Sequence, residues 1–367
     1  MGSMDANCFV FAQHSFAPLS VALRVLAARS PVFFAGLLCL VLAPVLRSAL
    51  AQQGEALQDP SLDNLVHEPG YTTAPLGTLG AVVESGSGRI DMVLVSGFGV
   101  GASAFAGFLE RNAARYHMLA LTLPGFEGSA APPMPPAGTS YGDQTWTRAA
   151  IDALTRLIRE RKLDRPVLVG HFLNGTQIAA RAALEHPELV RALVLLAGTP
   201  RFEPVESMPY WPKGMTLETK IAAIDGSMAP RWFKTVTRKT WVANNFVASD
   251  YSTDAARGRK FADLANEPPL PVLIRYLCEF HASDLAPDLA HLQPPLLMIQ
   301  PSFTEALRAD GTRSYLSSFF EEPWQGVVDD RPHTTTLFLK DAGILLMDDK
   351  PAEVDLAVSG FLEREAP

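Results

Sequence analysis

The sequence predicts an α/β fold: a mostly parallel central sheet with helices on both faces and a helical cap insertion. Short apolar runs that end near glycine alternate with longer segments of helical periodicity, which is the pattern of strands joined by crossover helices. Residues 201–292 break this rhythm, because they carry several aromatic residues and no strong strand. The chain has 367 residues, of which 48% are hydrophobic, and this is enough to bury a large core.

The predicted strands begin with an edge strand in GTLGAVVESG. Several of the runs that follow are apolar at consecutive positions rather than at alternate ones. Such runs are typical of parallel strands that helices cover on both faces. In chain order they read IDMVLVSG, YHMLALTLPG, PVLVG, ALVLLAG, PPLLMIQ and TTTLFLK.

Helical segments fill the gaps between these strands. In residues 147–161, Ile151, Leu154, Leu157 and Ile158 recur on one face, which predicts an amphipathic helix packed on the sheet. The other predicted helices are ASAFAGFLERNAARY, residues 176–186 and the closing residues 351–363.

These patterns divide the chain into segments. Residues 52–76 are polar and interrupted by prolines, which predicts a linker or wrapping arm. Residues 77–200 and 293–367 form the predicted core, and residues 201–292 form the predicted helical cap.

The N-terminal segment predicts export. Arg24 and Arg29 precede the uncharged run PVFFAGLLCLVLAPVL, and Ala-Leu-Ala at residues 49–51 supplies the small residues that a signal peptidase requires. Residues 1–51 are therefore predicted to be a signal peptide of a periplasmic or secreted protein. The alternative is a retained membrane anchor at residues 30–47, since the run approaches the length of a spanning helix.

Composition restricts the partners and cofactors. The formal net charge is −8, which argues against a nucleic-acid partner because phosphate binding requires a basic face. The sequence contains no P-loop, no dinucleotide glycine fingerprint and no zinc-type Cys/His spacing. We therefore expect neither a cofactor nor a metal.

Residues 166–177, PVLVGHFLNGTQ, carry the most specific signal. A strand ends at Gly170 and a helix follows a sharp turn, with Gly170 and Gly175 allowing the two to pack closely. This stretch resembles the nucleophile elbow of the α/β-hydrolase superfamily. The resemblance extends over about residues 76–362 and implies the α/β-hydrolase fold. Its other parts are SGFGVGASAF, LTLPGFEGS, LEHPELVRALVLLAGTP, DLAPDLAHLQPPLLMIQ and KDAGILLMDDKPAEVDLAVSGFL.

The resemblance implies three catalytic positions, and two of them hold unreactive residues. The elbow apex is Phe172, which has neither a lone pair to attack with nor a proton to surrender. The A-G-H motif of the family reads A-G-I here, so Ile344 stands at the position of the base and cannot accept a proton. The family's acid follows the PPLLMIQ strand, where Glu305 or Asp310 is the candidate.

The same resemblance implies an oxyanion-type loop at Gly97, Phe98 and Leu173. Aromatic residues near the strand ends predict an apolar pocket suited to an apolar small molecule. We expect the Phe172 ring to be buried at the floor of that site, near Ile344. The predicted pocket residues are Phe105, Phe126, Trp211 and Trp232.

Other side chains are candidates for a catalytic role at a position different from that in the superfamily. Ser96 and Ser103 lie in the oxyanion-type loop, Thr176 begins the elbow helix, and His333 precedes the last strand. A structural role is the favoured interpretation for Thr176 and His333. His171 is adjacent to the apex and is expected to be buried and hydrogen-bonded.

Two functional classes follow. The first is an exported, non-catalytic binding or scaffold protein, a pseudoenzyme with an apolar pocket on a hydrolase fold. The second is an active hydrolase that acts on ester-type small molecules through relocated residues. The sequence favours the first, because the nucleophile and the base are both substituted.

Overall fold

A computed structural model describes residues 72–202, 214–302 and 315–366. The predicted signal peptide or anchor, and the arm as far as residue 71, lie outside these residues. The centre of the fold is a seven-stranded sheet. Its strands are β1 (Val82–Ser85), β2 (Ile90–Val95), β3 (Tyr116–Leu121), β4 (Val167–His171), β5 (Ala192–Leu196), β6 (Leu296–Ser302) and β7 (Thr334–Lys340).

The strand order is β1-β3-β2-β4-β5-β6-β7. Only β1 runs antiparallel to its neighbour β3, and all the other pairings are parallel. Leu94 of β2 lies opposite Val169 of β4, which lies opposite Val194 of β5, and all three are buried. The consecutive apolar residues thus lie in central strands covered on both faces, and the α/β fold predicted from the sequence is confirmed.

Helices occupy the connections, as the sequence predicts. In the helix Thr145–Glu160, Ile151, Leu154 and Ile158 are buried, so the apolar stripe packs into the core. The core helices are α1 (Ala106–Asn112), α2 (Thr145–Glu160) and α3 (Asn174–Glu185) before the insertion. After it come α11 (Tyr315–Phe320), α12 (Leu346–Asp349) and α13 (Pro351–Glu365).

A run of helices is inserted between β5 and β6, at the position of the predicted cap. They are α4 (Leu217–Ala223), α5 (Ala229–Thr235), α6 (Arg238–Ala243), α7 (Ala248–Tyr251), α8 (Ala255–Asn266), α9 (Leu270–His281) and α10 (Ala286–Leu289). A π-helical turn, Ile224–Met228, joins α4 to α5. Among the described helices, none has both the length and the apolar character required to cross a bilayer.

The helix α9 attaches this insertion to the core, and all of its residues are buried. The carboxylate of Glu279 accepts hydrogen bonds from the backbone N–H groups of Trp146 (3.0 Å) and Thr147 (2.9 Å). Those N–H groups belong to the first turn of α2, where helical amides have no partner within the helix. A cap side chain therefore completes a core helix.

Candidate functional site: the elbow

The turn between β4 and α3 keeps the backbone of a nucleophile elbow. Phe172 and Leu173 have φ angles of 44° and 37°, in a region that L-residues rarely occupy. A Cβ on Gly175 would lie 2.5 Å from the carbonyl oxygen of Ser96, so this position requires glycine. Strain of this kind costs about 1–3 kcal/mol for each such residue, and the surrounding packing has to offset it.

The side chain at the apex is wholly buried. The Phe172 ring is 0% exposed and lies among aromatic rings from the cap and from α11. Its centroid is 5.2 Å from that of Phe246, 6.4 Å from that of Tyr251 and 6.1 Å from that of Phe320. We call Phe172, Phe246, Tyr251 and Phe320 the elbow cluster. Burying a phenylalanine contributes roughly 1.5–3 kcal/mol, which is comparable to the backbone strain at one of these two residues.

Main-chain hydrogen bonds hold the loop of Ile344, the residue at the position of the family's base. Ile344 is buried, and its N–H donates to the carbonyl of Asp250 at 2.8 Å. The next N–H, of Leu345, donates to the carbonyl of Tyr251 at 2.8 Å. In the superfamily that the sequence resembles, this loop carries the catalytic base. Here the loop is attached to α7 of the cap by these two hydrogen bonds.

His171 joins this loop to the elbow. Its Nε2 lies 2.9 Å from the carbonyl oxygen of Ile344, and because a carbonyl only accepts, Nε2 carries the proton. The imidazole is 0% exposed, and Nδ1 has no hydrogen-bond partner. Burial lowers the pKa of His171 to about 4, against the weaker opposing effect of the Ile344 carbonyl. This histidine is thus neutral at pH 7, and its ring N–H donates to a main-chain carbonyl.

The oxyanion-type loop packs against the apex. A Cβ on Gly97 would lie 2.6 Å from the Cβ of Phe172, so the loop approaches the elbow too closely for any other residue. Phe98 is buried, with its ring 5.9 Å from that of Phe126 and 6.2 Å from that of Trp241. Leu173 precedes the first residue of α3. The oxyanion-type loop is present, and the apex side chain that it contacts is that of a phenylalanine.

The residues proposed to line the pocket are packing residues in the structure. Phe105 is 0% exposed and contacts the His171 ring at a centroid distance of 5.7 Å. Phe126 is 0% exposed and lies 4.9 Å from the Tyr276 ring, and Trp232 is 7% exposed. Trp211 and both acid candidates, Glu305 and Asp310, lie outside the described residues.

Of the candidate relocated groups, Ser96 and Thr176 are buried and His333 is exposed. His333 is 69% exposed, with its Nδ1 2.8 Å from Glu365, and it precedes β7 at the opposite end of the sheet from the elbow. Ser96 is buried and accepts a hydrogen bond from the N–H of Leu123 at 3.4 Å. The Thr176 hydroxyl is buried, and no residue that the structure describes forms a hydrogen bond with it.

Ser103 is the exception among these groups. It is half-buried, and its hydroxyl donates to the carboxylate of Glu127 in a short hydrogen bond. Glu127 has a φ of 45°, which places it in the left-handed region. In the part of the chain that the structure describes, no group of three His, Cys, Asp or Glu side chains is placed to hold a metal ion.

The family model described as the alpha/beta hydrolase family matches residues 92–355. The chain belongs to the alpha/beta hydrolase family. A curated relative, the pimeloyl-[acyl-carrier protein] methyl ester esterase of Edwardsiella ictaluri, is 27% identical over 213 residues, which are 58% of this chain and 74% of that protein. The protein of the same name from Nitrosomonas europaea is 26% identical over 223 residues, covering 59% and 78%.

Solved structures share this fold. An esterase from Exiguobacterium antarcticum superposes with a TM-score of 0.55 at 17% identity, covering 80% of this chain and 99% of that one. A thermophilic esterase from Thermogutta terrifontis gives a TM-score of 0.54 at 17% identity, covering 81% and 97%. At this identity the likeness supports the hydrolase fold only.

Proposed function

We propose that this member of the alpha/beta hydrolase family is an exported, non-catalytic binding protein. One observation carries the proposal: the elbow apex is a phenylalanine whose ring is wholly buried in the elbow cluster. Covalent catalysis at this position is impossible, because a phenyl ring has no group that can form an acyl intermediate.

The surroundings of the apex support the same conclusion. A hydrolase of this family needs a base beside its nucleophile, and Ile344 offers only its main chain, which is already bonded to Asp250 and His171. Without a nucleophile and a base, only substrate binding and oxyanion stabilisation could accelerate hydrolysis. In serine proteases these two effects accelerate the reaction roughly 10³–10⁴-fold over the reaction in water. That acceleration is too small for an effective esterase.

The aromatic lining of the elbow supports an apolar small molecule as the ligand. The elbow cluster is aromatic, so a molecule that entered by displacing Phe246 or Phe320 would be apolar and small. The sequence before residue 52 supports export, with a basic stretch, an apolar run and small residues in order. A retained anchor remains the alternative that N-terminal sequencing of the native protein distinguishes.

Ester turnover tests the proposal. The purified protein should hydrolyse p-nitrophenyl butyrate no faster than the same protein after heat treatment. Phe172→Ser alone should remain inactive, because Ile344 still cannot act as a base. Saturable turnover by the unaltered protein, with a KM and a rate proportional to protein concentration, would contradict the proposal.

A second candidate is an esterase that uses a relocated nucleophile, as the names of the curated relatives suggest. The observation that favours it is the hydrogen bond from the Ser103 hydroxyl to the Glu127 carboxylate, within the oxyanion-type loop. This candidate requires that Ser103→Ala abolish any ester turnover. Ser359→Ala, which removes an exposed hydroxyl from α13, is the matched control and should leave turnover unchanged.

A further inference from the structure

A cavity lies away from the elbow, between the loop of residues 134–139 and the cap. Its volume is about 200 Å³. The loop supplies Pro135 and Pro136 to one wall, and α5 supplies Ala229 and Phe233 to the other. Arg275 of α9 also lines it. These walls are largely apolar, but two oppositely charged side chains line the same space.

The first charge belongs to Arg275, whose side chain is only 4% exposed. Its Nε donates to the carboxylate of Glu279 at 2.9 Å, and its guanidinium lies 4.3 Å from the centroid of the Tyr141 ring. Nη1 makes no hydrogen bond to any residue that the structure describes. A guanidinium carries five N–H donors, so this buried cation retains donor capacity at the cavity.

The second charge belongs to Asp225, which lies in the π-helical turn Ile224–Met228. Its carboxylate accepts hydrogen bonds from the Ser140 hydroxyl at 2.6 Å and from the Tyr141 N–H at 2.9 Å. Within the described chain, no cationic side chain pairs with it. A carboxylate offers about four acceptor sites, so Asp225 can accept at least one further donor. Turns of this kind occur frequently at functional sites.

Tyr141 brings these two charges near each other. Its backbone N–H is bonded to Asp225, while Arg275 stacks on its ring. Arg275 is neutralised by Glu279, whereas Asp225 is not neutralised by any described cation. The cavity thus offers free N–H donors at one point and an unneutralised carboxylate at another.

We propose that this cavity binds a small zwitterion, an α-amino acid with an apolar side chain. The carboxylate of the ligand would accept hydrogen bonds from Arg275, and its ammonium group would donate to Asp225. The apolar side chain would contact Pro135, Pro136 and Phe233. Since an engineered cavity of about 150 Å³ binds benzene, a cavity of about 200 Å³ suits roughly eight non-hydrogen atoms, which is the size of valine. This inference does not depend on the proposed function.

Calorimetric titration of the full-length protein tests the proposal with three probes that share the branched (CH3)2CH–C group. L-Valine carries both charges, isobutylamine only the cation and isovalerate only the anion. We expect L-valine to bind at least about tenfold more tightly than either analogue, because hydrogen bonds between charged groups are the strong ones. Equal binding of all three, or no detectable binding of L-valine, would refute the proposal.

A substitution at Asp225 separates the two charges. Asp225→Asn keeps the side-chain shape and an acceptor oxygen but removes the charge, so it should weaken L-valine binding by about tenfold and leave isovalerate binding unchanged or tighter. Asp263→Asn is the matched control, since it removes an exposed cap carboxylate outside the cavity, and it should bind L-valine as the unaltered protein does. Unchanged L-valine affinity in Asp225→Asn would overturn the assignment. Should that variant fail to fold, the three-probe titration of the unaltered protein still decides.

Discussion

The elbow and the cavity lined by Asp225 and Arg275 both contact the cap helix α9, and they differ in character. At the elbow, the Asn174 amide donates to the carbonyl of Tyr276 at 3.1 Å, and the apex next to it is filled with aromatic rings. At the cavity, the neighbouring residue Arg275 is charged and the space beside it is open. One region has the backbone turn of a nucleophile elbow with a buried phenylalanine at its apex, and the other has charged side chains that line a cavity.

This difference shows which features a fold preserves. Phe172 and Leu173 adopt positive φ angles with a phenylalanine at the apex, so this turn does not require a nucleophilic side chain. The chemistry depends on the side chains of the site rather than on the fold. An elbow identifies a fold, therefore, and its apex residue determines whether covalent catalysis can occur at that position.

The largest expected effect is on stability at the elbow. Phe172→Ala removes a fully buried ring from the elbow cluster while the backbone strain remains. We expect the free energy of unfolding to fall by about 3–5 kcal/mol, as for other buried phenylalanines. Denaturant unfolding measures it.

The matched control is Phe338→Ala on β7, because this ring is 47% exposed. It should cost less than about 1 kcal/mol. If the two variants were equally stable, the apex ring would not be packed as described, and the contrast between the filled elbow and the open cavity would fail.

The next effect concerns pH. His171 has a folded-state pKa of about 4, below its unfolded value near 6.5, so the unfolded chain binds a proton that the folded chain does not. Stability is therefore full above about pH 6.5 and falls as the pH decreases toward 4. Between pH 7 and pH 4.5, His171 should account for a loss of about 2 kcal/mol.

Comparison with His171→Gln isolates this contribution, since the glutamine amide can still donate a hydrogen bond toward the Ile344 carbonyl. The variant should lose less stability than the unaltered protein between the two pH values. His333→Gln removes an exposed histidine and should show the full loss. A pH dependence identical in His171→Gln and in the unaltered protein would show that His171 is not held neutral.

The smallest effect tests the attachment of the elbow to the cap. Asn174→Ala removes the amide that donates to the carbonyl of Tyr276 and leaves that buried acceptor without this donor. The expected cost is about 1 kcal/mol. Asn244→Ala removes a similar amide–carbonyl bond at an exposed site and should cost less than about 0.5 kcal/mol. Equal costs for the two would mean that the elbow and α9 are not coupled through Asn174.

The sequence was a sufficient guide to the sheet and to the elbow turn. Consecutive apolar residues mark buried parallel strands, and the spacing of Gly170 and Gly175 reflects close packing within one short segment. Both signals are local. The burial of His171 also followed from its position next to the apex, since successive residues of a strand point to opposite faces.

The contents of the site were harder to predict, because they depend on contacts between distant segments. Phe246 and Tyr251 belong to the cap, and Phe320 follows the segment of the expected acid. The sequence instead pointed to Phe105, Phe126 and Trp232, which are buried but lie outside the elbow cluster. The pair of phenylalanines at residues 319 and 320 was an available signal, but nothing local indicated that one of them would stack on the apex.

The central proposal is that this protein has no activated nucleophile, at the elbow or elsewhere, and covalent labelling tests it most directly. The folded protein is incubated with a serine-directed fluorophosphonate, beside an active serine esterase as the positive control, and the intact mass of each is measured. We expect the esterase to gain one adduct and the mass of this protein to stay unchanged. A stoichiometric adduct that maps to Ser96, Ser103 or Thr176, and that disappears on unfolding before labelling, would contradict the account.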